Sequence, residues 1–394
     1  MSDAVYLNEM GVICALGSGQ AAVRDALLGE RVCGVAEYAD LLPGRSLPLG
    51  RVQAPLAEVS MLPLEQRSRN NALLLTVLAQ IRTRVDDALA RFGAGRIAVV
   101  LGTSTSGIGE SEQAISWRRQ HGALSEGFHV AQQELGSPAL MLADFLGLSG
   151  PAIVVSTACS SSAKALASAA RLLRMGMCDA VLCGGMDALC AFTVAGFASL
   201  ESVSAARCNP MSANRCGINI GEGGALFLMT REPGPVRLAG WGESADAYHI
   251  SAPDPSGAGA RLAMESALAR ARLRPDQVDY INLHGTATPQ NDAMESKAVG
   301  MLFGADTPCS STKPLTGHTL GGAGALEAAL CWLTLHDNPR GRLPVHWWDG
   351  VADPELAAIN LVAPNMALGR TPDYVLSNSF AFGGSNAALL LGRG

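Results

Sequence analysis

The 394-residue sequence predicts an α/β protein with buried sheets, and two observations support that class. Hydrophobic residues make up 48% of the chain and charged residues only 16%, against about 25% in ordinary domains, so we expect a large core and no disordered chain. Short β-branched runs also alternate along the sequence with helical segments rich in alanine and glycine. Such alternation is typical of sheets covered by helices.

Each predicted strand is a short run of β-branched and other apolar residues. The predicted strands are residues 96–101, 152–156, 180–183, 225–229, 278–283, 374–376 and 387–391. Helical patterns lie between them at residues 163–175, 257–271 and 324–335. Together they favour sheets that are covered on both faces.

Two stretches of the chain share one organisation. In the first, a strand runs through TACSSS, which begins at Thr157, into an Ala-rich helix. In the second, CSSTKPLTGHTLGG, which begins at Cys309, runs into another Ala-rich helix. A turn with two prolines and a glycine lies between them at residues 231–235. The sequence therefore predicts two similar halves, residues 1–235 and 236–394, with an insertion at about 104–147 in the first.

Charge and cysteine content exclude several classes of protein. The formal net charge of −6 argues against sequence-independent binding to nucleic acid. The ten cysteines show no C-x-x-C pair and no zinc-ligand spacing, so no metal site is predicted. The N-terminus does not resemble a signal peptide, and the longest uncharged stretch, residues 145–163, contains glycines and a proline and predicts no membrane span. We therefore expect a reducing, cytoplasmic compartment.

Cys159 follows a predicted strand and stands at the predicted start of a helix. Unpaired backbone N–H groups and the positive end of the helix dipole favour a thiolate over a thiol at that position. The same groups can donate hydrogen bonds to an oxyanion on a bound acyl group. The segment alone leaves two interpretations open, a nucleophile and a small buried core residue.

Two histidines and a lysine further along the chain are candidate auxiliaries. His284 follows a predicted strand, and His318 lies in a glycine-rich turn five residues after Lys313. Each residue alone is compatible with a structural or a solvated position. A cysteine at a strand–helix junction with two distant histidines is, however, how a nucleophile and its auxiliaries are assembled.

The closing stretch NSFAFGGSN, residues 378–386, is a further candidate element of the site. Gly383 and Gly384 permit backbone conformations that other residues avoid, and they let a backbone N–H approach a ligand closely. A hairpin-like turn before the last strand is the structural alternative.

Taken together, these motifs resemble those of the β-ketoacyl-acyl-carrier-protein synthases of the elongating type, members of the thiolase-like superfamily. The resemblance covers nearly the whole chain. It is carried by TACSS at 157–161, GEGG at 221–224, DAYH at 246–249, HGTATPQND at 284–292, KPLTGH at 313–318 and NSFAFGGSN at 378–386. It implies a thiolase-like duplicated five-layer α/β/α/β/α fold. It also implies a dimer, either with a second copy or with a related synthase subunit.

The resemblance implies a role for each matching residue. Cys159 would accept the acyl group, and His284 and His318 would be the paired catalytic histidines. Lys313 would support these histidines, and Glu327 would be a carboxylate behind them. The remaining assignments are an oxyanion hole and gate at Cys159, Phe382 and Gly383, and substrate contacts at Thr286, Thr288 and Phe380.

The implied reaction is a decarboxylative Claisen condensation. An acyl chain on Cys159 would condense with malonyl-acyl carrier protein and yield a β-ketoacyl-carrier protein. Two neutral imidazoles that donate to the thioester oxygen would stabilise the enolate that forms as carbon dioxide leaves. The resemblance implies no metal and no bound cofactor, because the phosphopantetheine arm of the carrier protein carries the substrates.

Several positions depart from the family pattern, and they favour a specialised pathway that builds polyene- or polyketide-like chains over the main fatty-acid pathway. The segment PMSANRCG at residues 210–217 lacks the usual Asp and Arg-Asp-Gly, and Ser162 and Pro314 are also atypical. Ala381 stands where the family commonly has glycine. Its Cβ would penalise a positive φ by about 1–2 kcal/mol, so we expect the gate to hinge less freely or to open differently.

Carrier proteins are acidic, so we expect a locally basic surface at the mouth of the tunnel. Arg67 and Arg69 align with the docking region of the family, and Arg207 is a further candidate. An arginine cluster on a solvated face is the structural alternative.

Other functions compete with condensation. A thiolase would need a second catalytic cysteine near the C-terminus, whereas the last cysteine is Cys331, and an initiating synthase would not have His318 as its third catalytic residue. A non-condensing acyltransferase or thioesterase that uses Cys159 stays open. So does a partner subunit that shapes chain length in a heterodimeric synthase, although such subunits lack the nucleophilic cysteine.

Overall fold

The computed structural model describes residues 4–29 and 33–394, so residues 1–3 and 30–32 of the predicted first half lie outside the described ranges. The strands are β1 (Tyr6–Cys14), β2 (Gly17–Ser18), β3 (Val35–Leu42), β4 (Arg45–Gly50), β5 (Ile97–Gly102), β6 (Ala152–Val155), β7 (Ala180–Asp187), β8 (Gly223–Thr230), β9 (Val236–Ala245), β10 (Tyr280–Asn282), β11 (Pro308–Ser310), β12 (Asn360–Leu361), β13 (Tyr374–Ala381) and β14 (Ser385–Arg393). The helices are α1 (Gln20–Leu27), α2 (Arg69–Phe92), α3 (Ile108–His121), α4 (Ser137–Leu146), α5 (Ser161–Arg174), α6 (Ala191–Ser199), α7 (Ala258–Ala271), α8 (Pro289–Phe303), α9 (Lys313–Thr316) and α10 (Ala323–Leu335).

Two groups of strands repeat one topology. The order is β6-β5-β7-β8-β1 in the first group and β11-β10-β13-β14-β9 in the second. In each group the first three strands are parallel, and the last two add antiparallel. A short antiparallel contact between β1 and β9 joins the groups. The repeat supports a division of the chain at residue 235, between β8 and β9, which we propose as the boundary of the two halves.

Two helices, α5 and α10, form the middle layer of the molecule. Helix α5 follows β6, α10 follows β11 and the short helix α9, and the two helices pack on each other and on strands of both halves. Helices α2 and α4 cover the outer face of the first sheet, and α7, with α8 packed on it, covers the outer face of the second. The predicted five-layer arrangement is therefore confirmed.

Small residues allow the middle helices to approach each other and the sheet closely. A Cβ on Gly324 in α10 would lie 2.7 Å from the backbone nitrogen of Ala163 in α5. A Cβ on Gly102 in β5 would lie 2.3 Å from the backbone nitrogen of Ser162. The Ser162 hydroxyl accepts a hydrogen bond from the Ala325 backbone N–H at 2.8 Å. The atypical serine thus links the two helices.

The predicted strands and helices are all present, mostly with shifted bounds, but many elements were not predicted, among them β1, β3, β4, β9, α1, α2, α6 and α8. In β1, Asn8 and Glu9 lie at an irregularity in the pairing with β8, which interrupts the apolar alternation. The insertion at 104–147 contains α3 and α4. Within the described ranges, no helix is long and apolar enough to cross a membrane.

Candidate active site

The candidate catalytic residues lie on turns between secondary-structure elements in both halves of the fold. Cys159 lies between β6 and α5, in the first half. The second half contributes His284 just after β10, His318 between α9 and α10, and Phe382 between β13 and β14. Residues up to 223 positions apart along the chain therefore meet at one place because the two halves pack on the same middle layer.

The structure brings the cysteine and both histidines together. The Nε2 atom of His318 lies 3.0 Å from the Sγ atom of Cys159. The rings of His284 and His318 meet edge to face, with centroids 5.4 Å apart. One ligand-type atom from each of the three residues lies within 4.8 Å of the others, and all three side chains are buried.

Lys313 and Glu327 form a buried ion pair behind His284. The Lys313 ammonium donates to the His284 backbone carbonyl at 2.5 Å and lies 3.4 Å from Nδ1 of the same ring. Because an ammonium group only donates, Nδ1 is the acceptor and the ring proton lies on Nε2. Lys313 thereby fixes His284 as a hydrogen-bond donor through Nε2.

Both histidines are held in the neutral form. Burial, followed by the positive charge of Lys313, lowers the pKa of His284 and that of His318 well below the ordinary value of 6.5. In contrast to His284, His318 makes no hydrogen bond through Nδ1 to any described residue. Its tautomer is therefore not fixed by a neighbour, and its Nε2 can either accept or donate a proton.

The protonation state of Cys159 differs from the sequence-based expectation. Burial raises the pKa of the Cys159 thiol to about 11, although the charge of Lys313 and the backbone N–H groups of Phe382 and Cys159 act in the opposite direction. Desolvation outweighs the helix N-terminus, so the resting group is a thiol. His318, 3.0 Å away, is placed to take its proton.

The backbone N–H groups of Cys159 and Phe382 both act on the Cys159 sulfur, where they lower the pKa of the thiol. An acyl group bound to that sulfur would place its carbonyl oxygen nearby, so the role of these two groups as an oxyanion hole stays a prediction. Ala158, just before the cysteine, has a φ of 52°, a strained value for a residue with a Cβ. The Ser161 hydroxyl holds this turn, since it accepts from the Thr157 N–H at 2.8 Å and donates to the Ala158 carbonyl at 2.6 Å.

Two buried carboxylates, Glu295 and Asp187, brace the loops that carry the histidines. Neither residue was among the site residues expected from the sequence. Glu295 accepts hydrogen bonds from the backbone N–H groups of His284, at 2.8 Å, and Gly285, at 2.7 Å. Asp187 accepts from the Gly321 N–H at 2.6 Å and so ties the loop after His318 to the first half. The available signal for Asp187 was an acidic residue at the end of an otherwise uncharged strand.

A cavity of about 320 Å³ opens onto the cysteine and the two histidines. Its walls include all three of the predicted substrate contacts, Thr286, Thr288 and Phe380. The hydroxyl oxygens of the two threonines lie 3.0 Å apart. Phe382 also lines the cavity, and its ring packs against that of Phe197 with centroids 5.6 Å apart.

The expected backbone strain at Ala381 does not occur. Ala381 has a φ of −98° and a ψ of 156°, which is ordinary extended backbone at the end of β13. The left-handed conformations fall on Gly383, with a φ of 80°, and Gly384, with a φ of 70°. The turn is therefore built by the two glycines, Ala381 carries no strain in this conformation, and its effect on the opening of the gate stays a prediction.

The atypical segment 210–217 is braced by its own set of polar contacts. The Ser212 hydroxyl donates to Asp349 at 2.8 Å, and Arg215 pairs with Asp353 at 2.5 Å. The Met211 N–H donates to the buried Asp292 at 2.8 Å. These contacts fix the loop without the residues that the family usually has there.

The three arginines predicted to dock a carrier protein lie in different environments. Arg69 forms a forked pair with the fully buried Glu222, at 2.8 and 2.5 Å. Arg67 donates to the Leu62 backbone carbonyl at 2.7 Å. Arg207 is exposed. The Arg69 side chain therefore has a structural partner, and the docking role of all three residues stays a prediction.

A buried thiol, two neutral imidazoles and paired backbone donors, set in a duplicated five-layer fold, define a thiolase-like condensing enzyme. The model of the β-ketoacyl synthase N-terminal domain matches residues 71–233, and that of the C-terminal domain matches residues 236–339. The chain belongs to the β-ketoacyl synthase family, enzymes that form carbon–carbon bonds by condensing acyl units.

Curated relatives agree with this assignment. The chain is 31% identical to Nodulation protein E of Rhizobium sp. (strain N33) over 99% of both chains. It is 34% identical to 3-oxoacyl-[acyl-carrier-protein] synthase 2 of Synechocystis sp. over 75% of this chain and 74% of that one. A synthase 2 from Coxiella burnetii is 36% identical, and that match spans 63% of the relative's length.

Solved structures show the same fold over the whole chain. A ketosynthase in complex with its chain length factor, from Xenorhabdus doucetiae, is 46% identical with a TM-score of 0.94, and the match covers 99% of this chain and 98% of that one. A β-ketoacyl synthase from Burkholderia phymatum is 27% identical with a TM-score of 0.85 and covers 99% of both chains.

Proposed function

We propose that this enzyme condenses an acyl chain held on Cys159 with malonyl-acyl carrier protein and releases a β-ketoacyl-carrier protein. The observation that carries the proposal is the site itself: Cys159 Sγ lies 3.0 Å from His318 Nε2, beside a second neutral imidazole whose Nε2 is fixed as a donor by Lys313. A single base would suffice for acyl transfer alone, whereas a second neutral imidazole supplies a further donor that stabilises a developing enolate.

In the first half-reaction, the acyl group moves from the carrier to Cys159. His318 takes the thiol proton as the sulfur attacks the thioester carbonyl, and the N–H groups of Cys159 and Phe382 hold the oxyanion. The intermediate collapses, the bond to the pantetheine sulfur breaks, and His318 returns the proton to that sulfur. Thr286 and Thr288 are the proposed contacts of the pantetheine arm.

In the second half-reaction, a malonyl thioester loses carbon dioxide. The electron pair of the broken bond moves into the thioester as an enolate, whose oxygen accepts hydrogen bonds from the Nε2–H groups of His284 and His318. The enolate carbon then attacks the acyl-Cys159 carbonyl. This attack forms the new carbon–carbon bond, and collapse of the tetrahedral intermediate re-forms the carbonyl and expels the Cys159 sulfur as a thiolate, which takes up a proton from solvent by way of His318.

We further propose that the enzyme works as a heterodimer with a related subunit, in a specialised acyl pathway. The 46%-identical ketosynthase is solved in complex with its chain length factor, which supports this choice over a homodimer. Exposed apolar side chains, among them Ile153 on β6 and Ile115 and Trp117 on α3, offer surface for such a partner. All ten cysteines are free, which supports a reducing, cytoplasmic location.

The alternatives from the sequence are less well supported. A thioesterase or simple acyltransferase would not require a second neutral imidazole, whereas here His284 is held neutral and oriented beside a buried ion pair. A chain-length-shaping subunit gives no reason for Cys159 or for the strained turn that presents it. The proposal therefore keeps condensation and assigns the shaping role to the partner.

The test is a two-step reaction followed by intact mass and by release of carbon dioxide. After acyl-carrier protein, the wild-type enzyme should gain an acyl group on Cys159, and after malonyl-carrier protein the product should be two carbons longer. Cys159→Gln should abolish condensation while decarboxylation persists or rises. His284→Ala and His318→Ala should each slow decarboxylation by about 10²–10³-fold. Normal condensation by Cys159→Ala would refute the nucleophile.

A further inference from the structure

Lys164 makes a contact that the proposed mechanism does not use. It lies on α5, five residues after the nucleophile, and its Nζ atom is 2.6 Å from the Ser385 hydroxyl oxygen. Ser385 is the first residue of β14 and pairs directly with Ala381 across the hairpin. The two residues therefore close the turn that carries Phe382, and Lys164 binds that turn from the nucleophile helix.

A second contact extends this link to the nucleophile turn. The hydroxyl oxygens of Ser160 and Ser385 lie 3.1 Å apart, and Ser160 directly follows Cys159. The Ser160 hydroxyl also donates to the Thr157 carbonyl at 2.9 Å. A continuous set of hydrogen bonds thus connects Lys164, through Ser385 and Ser160, to the turn that presents the catalytic sulfur.

The hydrogen-bond partner of the Lys164 ammonium is the Ser385 hydroxyl and not a carboxylate. Lys164 is half-buried, and burial lowers its pKa below the ordinary value, with the charge of Glu243 acting in the opposite direction. Glu243 is itself ion-paired with Arg171. The chain has only three lysines among its 29 Lys and Arg residues, at positions 164, 297 and 313.

We propose that Lys164 and Ser385 form a latch that positions the backbone N–H of Phe382 over the Cys159 sulfur. This inference rests on the function proposed above, and it makes Lys164 a positioning residue for acyl transfer. The two N–H groups of the oxyanion hole belong to Cys159 and Phe382, whose turns are otherwise independent chain segments from opposite halves. The latch ties these segments together five residues after Cys159 and three residues after Phe382.

The latch predicts a defect that is specific to acyl transfer. A thioester carbonyl needs the oxyanion hole, whereas alkylation of Cys159 by iodoacetamide develops no oxyanion. Lys164→Met and Ser385→Ala should each slow acylation of Cys159 by about tenfold or more, with alkylation unchanged. The double variant should be little worse than either single one, because both remove the same interaction. Ser385→Thr, which keeps the hydroxyl, should restore most of the rate.

The measurements are single-turnover acylation by intact mass, alkylation by mapping of the Cys159 peptide, and thermal melting. Lys297→Met is the matched control, since Lys297 is exposed and lies 3.5 Å from the Pro255 carbonyl, and its acylation rate should equal that of the wild type. Unchanged acylation in Lys164→Met would overturn the latch. So would an equal loss of acylation and alkylation, which would show general damage to the site.

An independent measurement keeps the latch testable if the proposed function fails. Reductive methylation with ¹³C labels the α-amino group and only three lysines, so the Lys164 signal can be assigned with the Lys164→Met variant and followed by pH titration. Ser385→Ala should shift the titration of Lys164 and leave that of Lys297 unchanged. If Lys164 shows no shift, the latch is absent. If the wild-type enzyme never acylates Cys159 but the shift occurs, the proposed function fails and the contact stands.

Discussion

Cys159 shows how burial can reverse a local electrostatic preference. A helix N-terminus and a nearby lysine both favour a thiolate, but full burial raises the pKa of this thiol to about 11. A nucleophile of this kind depends on a base at the moment of attack, because little thiolate exists at neutral pH. His318 fills this position, and burial keeps its imidazole neutral and able to accept the proton.

This pKa predicts the pH dependence of Cys159 alkylation. A thiol with a raised pKa is mostly protonated below that value, so the thiolate fraction increases as pH rises toward 11. The rate of alkylation by iodoacetamide should rise about tenfold per pH unit between pH 7 and 9. The measurement is mass spectrometry of the Cys159 peptide. A rate that levels off near pH 8 would contradict the prediction.

At the scale of elements, the position of the site depends on how closely α5 and α10 pack. Gly324 crosses Ala163 at a distance that leaves no room for a side chain, and Cys159 and His318 lie on the turns that lead toward these two helices. A displacement of one helix would separate the sulfur from the imidazole. The small residues in the middle layer are therefore part of what holds the catalytic geometry.

Gly324→Ala should lower the free energy of unfolding by about 1–3 kcal/mol through overpacking. It should also slow acylation of Cys159, because the new methyl group pushes α10 away from α5. Urea unfolding and single-turnover acylation are the measurements. Gly196→Ala in α6 is the matched control, since a Cβ there meets no atom within 4 Å, and it should leave stability equal or up to about 1 kcal/mol higher. Equal effects of the two variants would contradict this account.

At the scale of the whole molecule, the docking of a carrier protein remains a prediction that the structure helps to test. Arg69 holds the buried Glu222, so its reversal to Glu would also leave a buried carboxylate unpaired. Arg207 is exposed and offers a cleaner variant. Arg207→Glu should raise the KM for acyl-carrier protein several-fold with kcat unchanged, because it alters association and not chemistry.

The salt dependence supplies the control for this prediction. An electrostatic docking contact weakens as ionic strength rises, so the difference between Arg207→Glu and the wild type should shrink in 0.5 M salt. The measurement is steady-state condensation at two salt concentrations. An unchanged KM at low salt would remove Arg207 from the docking surface.

The candidate site was largely predictable from local motifs, and its supporting residues were not. Cys159, His284 and His318 stand in short stretches whose composition indicates chemistry, and the structure brings them together. Glu295 carries no such local signal, and Asp187 carries only the weak signal of an acidic residue at a strand end, because both act by accepting hydrogen bonds from loops that the fold brings to them. Strand β1 was not predicted because two polar residues, Asn8 and Glu9, interrupt its apolar pattern at the point where its pairing with β8 is irregular.

The sequence by itself predicted the α/β class from its periodicity, and its resemblance to the family implied the five-layer fold, the candidate nucleophile and the histidine pair, because the motifs that carry the resemblance are contiguous in the chain. Only the tertiary structure decided that Cys159 rests as a thiol, that Ala381 is extended, that Arg69 binds Glu222 and that Lys164 binds Ser385. The physical reason is that desolvation and long-range hydrogen bonds depend on which distant segments pack together.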